Sequence, residues 1–181
     1  EPLDLNVIVS EVEELLRRTL GEGVTLRTEL APDLMATEMD RGHVEQILVN
    51  LAVNARDAMG QGGTLTISTS NVEVLGGDDE KPVKPGSYVC VAVSDTGRGI
   101  TADVLPQIFE PFFTSKGSDA NAGLGLASVY AIVEQAGGVL DVRSEPGAGS
   151  TFRIMLRATD RPVATPAVDA IAGGGDGQRI L

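Results

Sequence analysis

The chain has no tryptophan, one cysteine, one histidine, and only four phenylalanines and two tyrosines in 181 residues. A single cysteine excludes an internal disulfide, so no covalent staple holds the fold. Cys90 lies in the apolar run Tyr88 to Val93 and reads as a small buried hydrophobe in a reducing, cytoplasmic setting. A lone histidine, His43, cannot by itself make a metal site. No run of about 18 apolar residues occurs and no signal peptide opens the sequence, so a soluble chain without membrane contact is expected. Positive charge is scarce as well, with 14 Lys and Arg against 26 Asp and Glu, a net −12. Nucleic acid and anionic membranes both reward clustered Lys and Arg, and this balance argues against them as partners. A nucleotide stays admissible, because it can bring Mg²⁺ and be held by backbone N–H groups.

What is present suffices for one ordinary domain with a core, at 42% hydrophobic and 22% charged residues. Asp4 caps a predicted helix to about Leu20, with Val9, Val12, Leu15, Leu16 and Leu20 at helical spacing and Gly21 as its stop. Residues 24–30 alternate as a strand, and a short strand near 35–39 follows. A helix over 40–59 comes next, then a turn at 60–63, a strand over 64–74 and a polar loop over 76–86. Residues 87–95 form a buried strand and 101–109 a short helix. Residues 110–122 lack a period and read as a loop. A helix over 123–137 precedes two strands, 139–145 and 150–158, joined by the turn Pro146-Gly147-Ala148-Gly149. This order predicts a two-layer α/β sandwich, a mostly antiparallel sheet covered on one face by helices, over residues 1–158. Residues 159–181, rich in Ala, Pro, Gly and Asp, read as a flexible linker.

The helix over 40–59 organises the rest. With residues 100° apart, Val44, Ile47, Leu48, Leu51, Ala55, Ala58 and Met59 share an apolar face that should meet the core. Gln46, Asn50, Asn54 and Asp57 form one stripe on the other side, bordered by Val49 and Val53. Such a stripe is either a solvated edge or the lining of a cavity. If it lines a cavity, amide oxygens suit Mg²⁺ and amide NH₂ groups suit phosphate oxygens.

Three further stretches carry chemistry. Asp95-Thr96-Gly97-Arg98-Gly99 directly follows a buried strand. A carboxylate there, partly dry, suits an exocyclic amine such as adenine N6, with the glycines admitting a flat ring; an Asx-capped turn is the plainer alternative. Gly123-Leu124-Gly125-Leu126 opens a helix, where free N–H groups and the positive dipole end make an anion site, or else a hinge. Its spacing is not that of a P-loop. Lys116 could reach a terminal phosphate or simply be solvated. Thr151 could face a ligand or the core, and Phe109, Phe112 and Phe113 could anchor the loop or fill the core.

In order, NLAVNARDAM, DTGRGI, FEPFF and GLGL resemble the N box, first glycine box, F box and second glycine box of the ATP-binding domain of sensor histidine kinases, within the family shared with gyrase, the Hsp90 chaperones and MutL. The resemblance covers residues 1–158 and implies the Bergerat α/β sandwich. It implies ATP and Mg²⁺ as ligands, with Asn54 on the metal and Asn50 and Asp57 at the phosphate end. It further implies Asp95 on the adenine amine, in a floor including Gly97, Gly99 and Ile100, with Ala58 also at the nucleotide. Residues 110–122 become an ATP lid with Lys116 as its phosphate contact. Gly123, Leu124, Gly125 and Leu126 would offer backbone N–H groups to the phosphates, and Thr151 would sit near the adenine. Two departures stand out. Asn121-Ala122 replaces the Gly-Thr common before GLGL, and Asn50 stands where self-sufficient ATPases of the family carry glutamate. An amide has no useful pKa near neutrality, so an efficient free-standing ATPase is not expected.

The resemblance also implies partners. The γ-phosphate would pass to a histidine on a separate helical dimerisation domain of the same parent kinase, and onward to a response regulator or receiver domain. That histidine normally precedes an acidic residue, whereas His43 precedes Val44, so His43 reads as a surface or packing residue. The chain is thus expected to be a monomeric catalytic half, and Gln178-Arg179-Ile180-Leu181 resembles a lead-in to a receiver's first strand. The competing readings are a non-catalytic nucleotide-binding scaffold and a serine kinase or ATPase of the same fold.

Overall fold

A computed structural model describes residues 1–76, 83–111, 113 and 125–163. Strands β1 (Pro2–Leu3), β2 (Val24–Glu29), β3 (Ala36–Glu38), β4 (Gly63–Val74), β5 (Gly86–Asp95), β6 (Val139–Glu145) and β7 (Gly149–Thr159) form one mixed sheet. Its order is β1-β3-β7-β5-β4-β2, with β6 also on β7; only β2–β4 is parallel. Helices α1 (Leu5–Leu20), α2 (Arg41–Ala58) and α3 (Gly125–Gln135) complete the α/β sandwich, with α2 packed between the other two. No helix among the described residues is long and apolar enough to cross a membrane.

Strand alternation decides which face the helices cover. Cross-strand pairs Ile67–Val93, Val93–Phe152 and Val91–Ile154 lie in one buried layer. The intervening positions Thr66, Ser68, Ser94 and Thr151 belong to the opposite face. At the end of the buried layer the same register brings Leu65, Asp95 and Ser150 side by side. A carboxylate and a hydroxyl thus occupy core-facing positions where the strands run out.

Helix α1 starts at Asp4, whose side chain accepts from Asn6 N–H at 2.9 Å, and stops at Gly21, whose φ of +77° ends the helix as expected. Leu5, Ile8, Val9, Val12, Leu16 and Leu20 form its buried face, whereas Leu15 is half exposed. Helix α2 is capped by Asp40, which accepts from His43 N–H at 3.2 Å. It buries Val44, Ile47, Leu48, Leu51, Ala52 and Ala55. Each of its Val, Ile and Leu side chains contributes about 1.5–3 kcal/mol when withdrawn from water.

The helix expected over 101–109 is instead a single 3₁₀ turn, Leu105–Gln107, within a series of tight turns. Gln107, Glu110 and Phe113 N–H groups each bond the carbonyl three residues back. Pro106 explains the difference, since it lacks an N–H and disfavours the α conformation at Leu105. The two-residue strand β1, on Glu38 and Thr37 of β3, was too short to leave a period in the sequence.

Candidate functional site

A cleft of about 620 Å³ opens between α2, α3, the loop after β5 and the β6–β7 turn. All four members of the polar stripe, Gln46, Asn50, Asn54 and Asp57, line it. The stripe therefore lines a cavity, with Asn50 and Asn54 partly buried and Gln46 and Asp57 exposed at its two ends. Val53 and Ala58 complete the α2 side.

The far end is built around Asp95, which is 5% exposed. Burial raises its carboxyl pKa above the ordinary aspartate value, opposed in part by backbone N–H bonds from Gly97 and Ser150. The Gly97 bond is 2.8 Å long. Desolvation outweighs these two donors, and a further donor entering the cleft would favour the charged carboxylate.

The glycines flanking Asp95 serve the protein's own packing before any ligand. A Cβ on Gly97 would lie 2.7 Å from the Ala58 carbonyl oxygen, and Gly99, at φ +72°, would drive one into the Glu145 carbonyl. With both glycines in place, Arg98 N–H reaches Ala58 O at 3.1 Å and Gly147 N–H reaches Arg98 O at 2.7 Å. The loop after β5 is thereby fastened between the end of α2 and the β6–β7 turn. Ile100, Val104, Ile108 and Phe113 supply an apolar wall beside Asp95. The turns carrying them are pinned to α3 by Phe109 stacked on Tyr130, ring centroids 5.5 Å apart.

At the other end, Gly125 and Leu126 open α3 onto the cleft. Asn50 Nδ2 donates to Gly125 O at 3.3 Å, a long bond that ties α2 to the start of α3. The Asn54 carboxamide bonds to no other side chain among the described residues. Nor do three His, Cys, Asp or Glu side chains converge on a point among them. A divalent ion held here would take amide oxygen and the oxygens of a ligand, the usual manner of Mg²⁺ on phosphates.

Of the expected site residues, Asn50, Asn54, Asp57, Ala58, Asp95, Gly99, Ile100, Gly125 and Leu126 border this one cleft. Gly97 lies buried immediately beneath it. Lys116, Gly123, Leu124 and Phe112 lie outside the described residues. Thr151 does not border this cleft; its hydroxyl bonds Ser94 Oγ at 2.7 Å on the opposite face of the sheet. Ser150 borders the cleft in its place. The alternation Ser150-x-Phe152-x-Ile154-x-Leu156 was a usable signal for that parity. Arg98, Thr101, Ser128 and Pro146 also border the cleft, none of them singled out by the sequence reading as a site residue. His43 is exposed at the first turn of α2 and does not border it.

Similarity to known proteins agrees with this geometry. The family described as histidine kinase-, DNA gyrase B- and HSP90-like ATPase matches residues 39–160. The sensor kinase CckA of Brucella abortus (strain 2308) is 43% identical over 173 residues, covering 91% of this chain and 18% of that protein. The sensor histidine kinase ZraS of Escherichia coli (strain K12) is 35% identical over 157 residues, covering 86% of this chain and 30% of that protein. The chain thus spans less than a third of these curated relatives. Among solved structures, the catalytic domain of the histidine kinase ThkA superposes with a TM-score of 0.66 at 26% identity, covering 88% of this chain and 95% of that one. Full-length ShkA in complex with AMPPNP gives 0.70 at 28%, covering 90% of this chain and 32% of that one.

Proposed function

The chain belongs to the histidine kinase-, DNA gyrase B- and HSP90-like ATPase family as an ATP-binding domain of sensor histidine kinase type, and from that premise we propose that it binds Mg-ATP in the cleft and transfers the γ-phosphate to a histidine on a separate domain. One observation carries this reading. A single cleft has a desolvated carboxylate, Asp95, at one end and the amide-bearing stripe of α2 facing the first turn of α3 at the other. Those two ends match the two ends of an adenine nucleotide.

The roles follow from the side chains. Asp95 accepts from the exocyclic amine, and Ile100, Val104, Ile108 and Phe113 exclude water from the ring. Asn54 offers its amide oxygen to the cation, while Asn50, Gln46 and Asp57 extend the polar wall along the phosphates. Magnesium, when bound, supplies neutralisation of phosphate charge. Backbone N–H groups at Gly125 and Leu126 sit at the positive end of α3 and orient the anion; Gly123, Leu124 and Lys116 are proposed to extend that anion site. Asn50 has no useful pKa near neutrality and cannot act as a general base at its position. The domain aligns and polarises, and the nucleophile arrives on the partner.

That partner is proposed to be the histidine-bearing dimerisation domain of a longer parent, with a response regulator or receiver as onward acceptor. Residues 159–181 are proposed as a flexible linker leading toward a receiver domain. In the test, labelled ATP, this chain and a histidine-bearing helical hairpin are mixed, and acid-labile label on the hairpin is expected. Acid-stable label would favour a serine kinase, and no transfer alongside intact ATP binding would favour a scaffold. Asn54→Ala should abolish the magnesium-dependent part of ATP affinity by calorimetry, and unchanged affinity would remove Asn54 from the metal site.

A further inference from the structure

Ser144, near the end of β6, does not border the cleft, yet three groups beneath the Asp95 end converge on its hydroxyl. Ile100 N–H donates to it at 2.7 Å, Ser150 Oγ lies 2.7 Å away, and the Gly149 carbonyl lies at 3.2 Å. A serine hydroxyl owns one proton and two lone pairs, and Ile100 N–H occupies one lone pair. Two arrangements remain. In the first, Ser144 donates to Gly149 O and Ser150 donates to Ser144, so Ser150 shows only lone pairs to the cleft. In the second, Ser144 donates to Ser150, and the Ser150 proton is released into the cleft. The exchange sacrifices only the longest of the three contacts.

Ser150 borders the cleft beside Asp95, its register partner, and its own N–H holds the Asp95 carboxyl. The cleft floor therefore places an acceptor-only group next to a hydroxyl whose polarity is set from behind. A ligand edge with a donor adjacent to an acceptor fits this pair, and adenine carries such an edge in its 6-amino group and N1.

Resting on the assignment of this end of the cleft to adenine, we propose that Ser144 is a positioning residue. It turns the Ser150 proton toward purine N1, directly or through one water, while Asp95 takes the amine. Ser144 itself touches no ligand. Without it, the Ser150 proton has no fixed direction and Ile100 N–H loses its acceptor.

Three nucleotides separate this role from a merely structural one: ATP, 1-deaza-ATP, which replaces N1 by a C–H group, and purine riboside triphosphate, which lacks the amine. Calorimetry on the intact chain should show roughly tenfold weaker binding of 1-deaza-ATP than ATP, the worth of one hydrogen bond. In Ser144→Ala that ratio should fall close to one, while the penalty for purine riboside triphosphate, which reports on Asp95, stays as in the wild type. Ser144→Thr keeps a hydroxyl and should restore the ratio. Ser150→Ala should lose the same ratio, which keeps the test decisive should Ser144→Ala fail to fold. Equal weakening of all three nucleotides by Ser144→Ala, or an N1 ratio that neither alanine variant changes, would overturn the proposal. A wild-type chain that binds ATP and purine riboside triphosphate equally well would instead overturn the adenine assignment on which it rests.

Discussion

The two ends of the cleft are built differently. The Asp95 end is fastened mainly backbone to backbone: the loop after β5 bonds α2 through Ala58 O and the β6–β7 turn through Gly147 N–H, with one side-chain bond added where Ser144 Oγ accepts from Ile100 N–H. The α2–α3 end, among the described residues, is joined by one side-chain bond of 3.3 Å from Asn50 to Gly125. Backbone fastening cannot be lost by changing one side chain, except at a glycine whose missing Cβ permits the approach. Amide fastening yields to a single substitution. The Asp95 end is thus prepared in advance, and the α2–α3 end rests on fewer hydrogen bonds among the described residues.

The hardest blow to this arrangement should come at Gly149, which has φ +98° and abuts the Asp95 carbonyl, so that a Cβ would overlap backbone. Gly149→Ala is expected to cost about 3 kcal/mol of stability in urea unfolding, by strain added to overlap. A loss below about 0.5 kcal/mol, the usual surface range, would show that the strand end can shift freely.

Asp95→Asn should separate binding from stability. ATP affinity is expected to fall about 100-fold, as for loss of a charged hydrogen bond. The melting temperature at neutral pH should hold or rise, since a desolvated charge disappears. The pH dependence follows from the same burial. The folded state raises the Asp95 pKa and so holds the proton more tightly than the unfolded chain. Stability from this group is greatest below the ordinary aspartate value and falls as pH rises through the window up to the raised value. With Asp95 in its proposed role as acceptor for the ligand's amine, ATP affinity should rise through that same window. Melting curves and calorimetry across it, wild type against Asp95→Asn, check both signs; a wild-type slope equal to the variant's would refute the burial argument.

At the α2–α3 end, Asn50→Ala should weaken ATP binding only about two- to tenfold, the worth of one neutral bond, with little change in melting temperature. The smallest effect belongs to Thr151→Val. Its hydroxyl bonds Ser94 away from the cleft, so nucleotide affinity should stay within about twofold while stability drops by about 1 kcal/mol. A large loss of affinity there would put Thr151, and not Ser150, on the ligand side.

Much of this is legible in the amino-acid sequence. The α2 stripe was readable because a helix repeats every 3.6 residues, so spacings of four, four and three must share one side whatever surrounds them. Asp95 was readable because a carboxylate at the exit of an apolar strand needs a partner. The parity of Ser150 and Thr151 was available too, in the alternation through Phe152, Ile154 and Leu156, but two adjacent hydroxyls hid it.

Local pattern therefore determined the elements, their faces and the chemistry each face carries, since those depend on dihedral periodicity and side-chain type alone. Only the tertiary structure decided that Gly97 and Gly99 serve backbone contact with Ala58 and Glu145, that Pro106 reduces a helix to one turn, and that Ser144 backs Ser150. Those facts arise where segments distant in sequence approach within a hydrogen bond. No one-dimensional period records which carbonyl will stand opposite a given N–H.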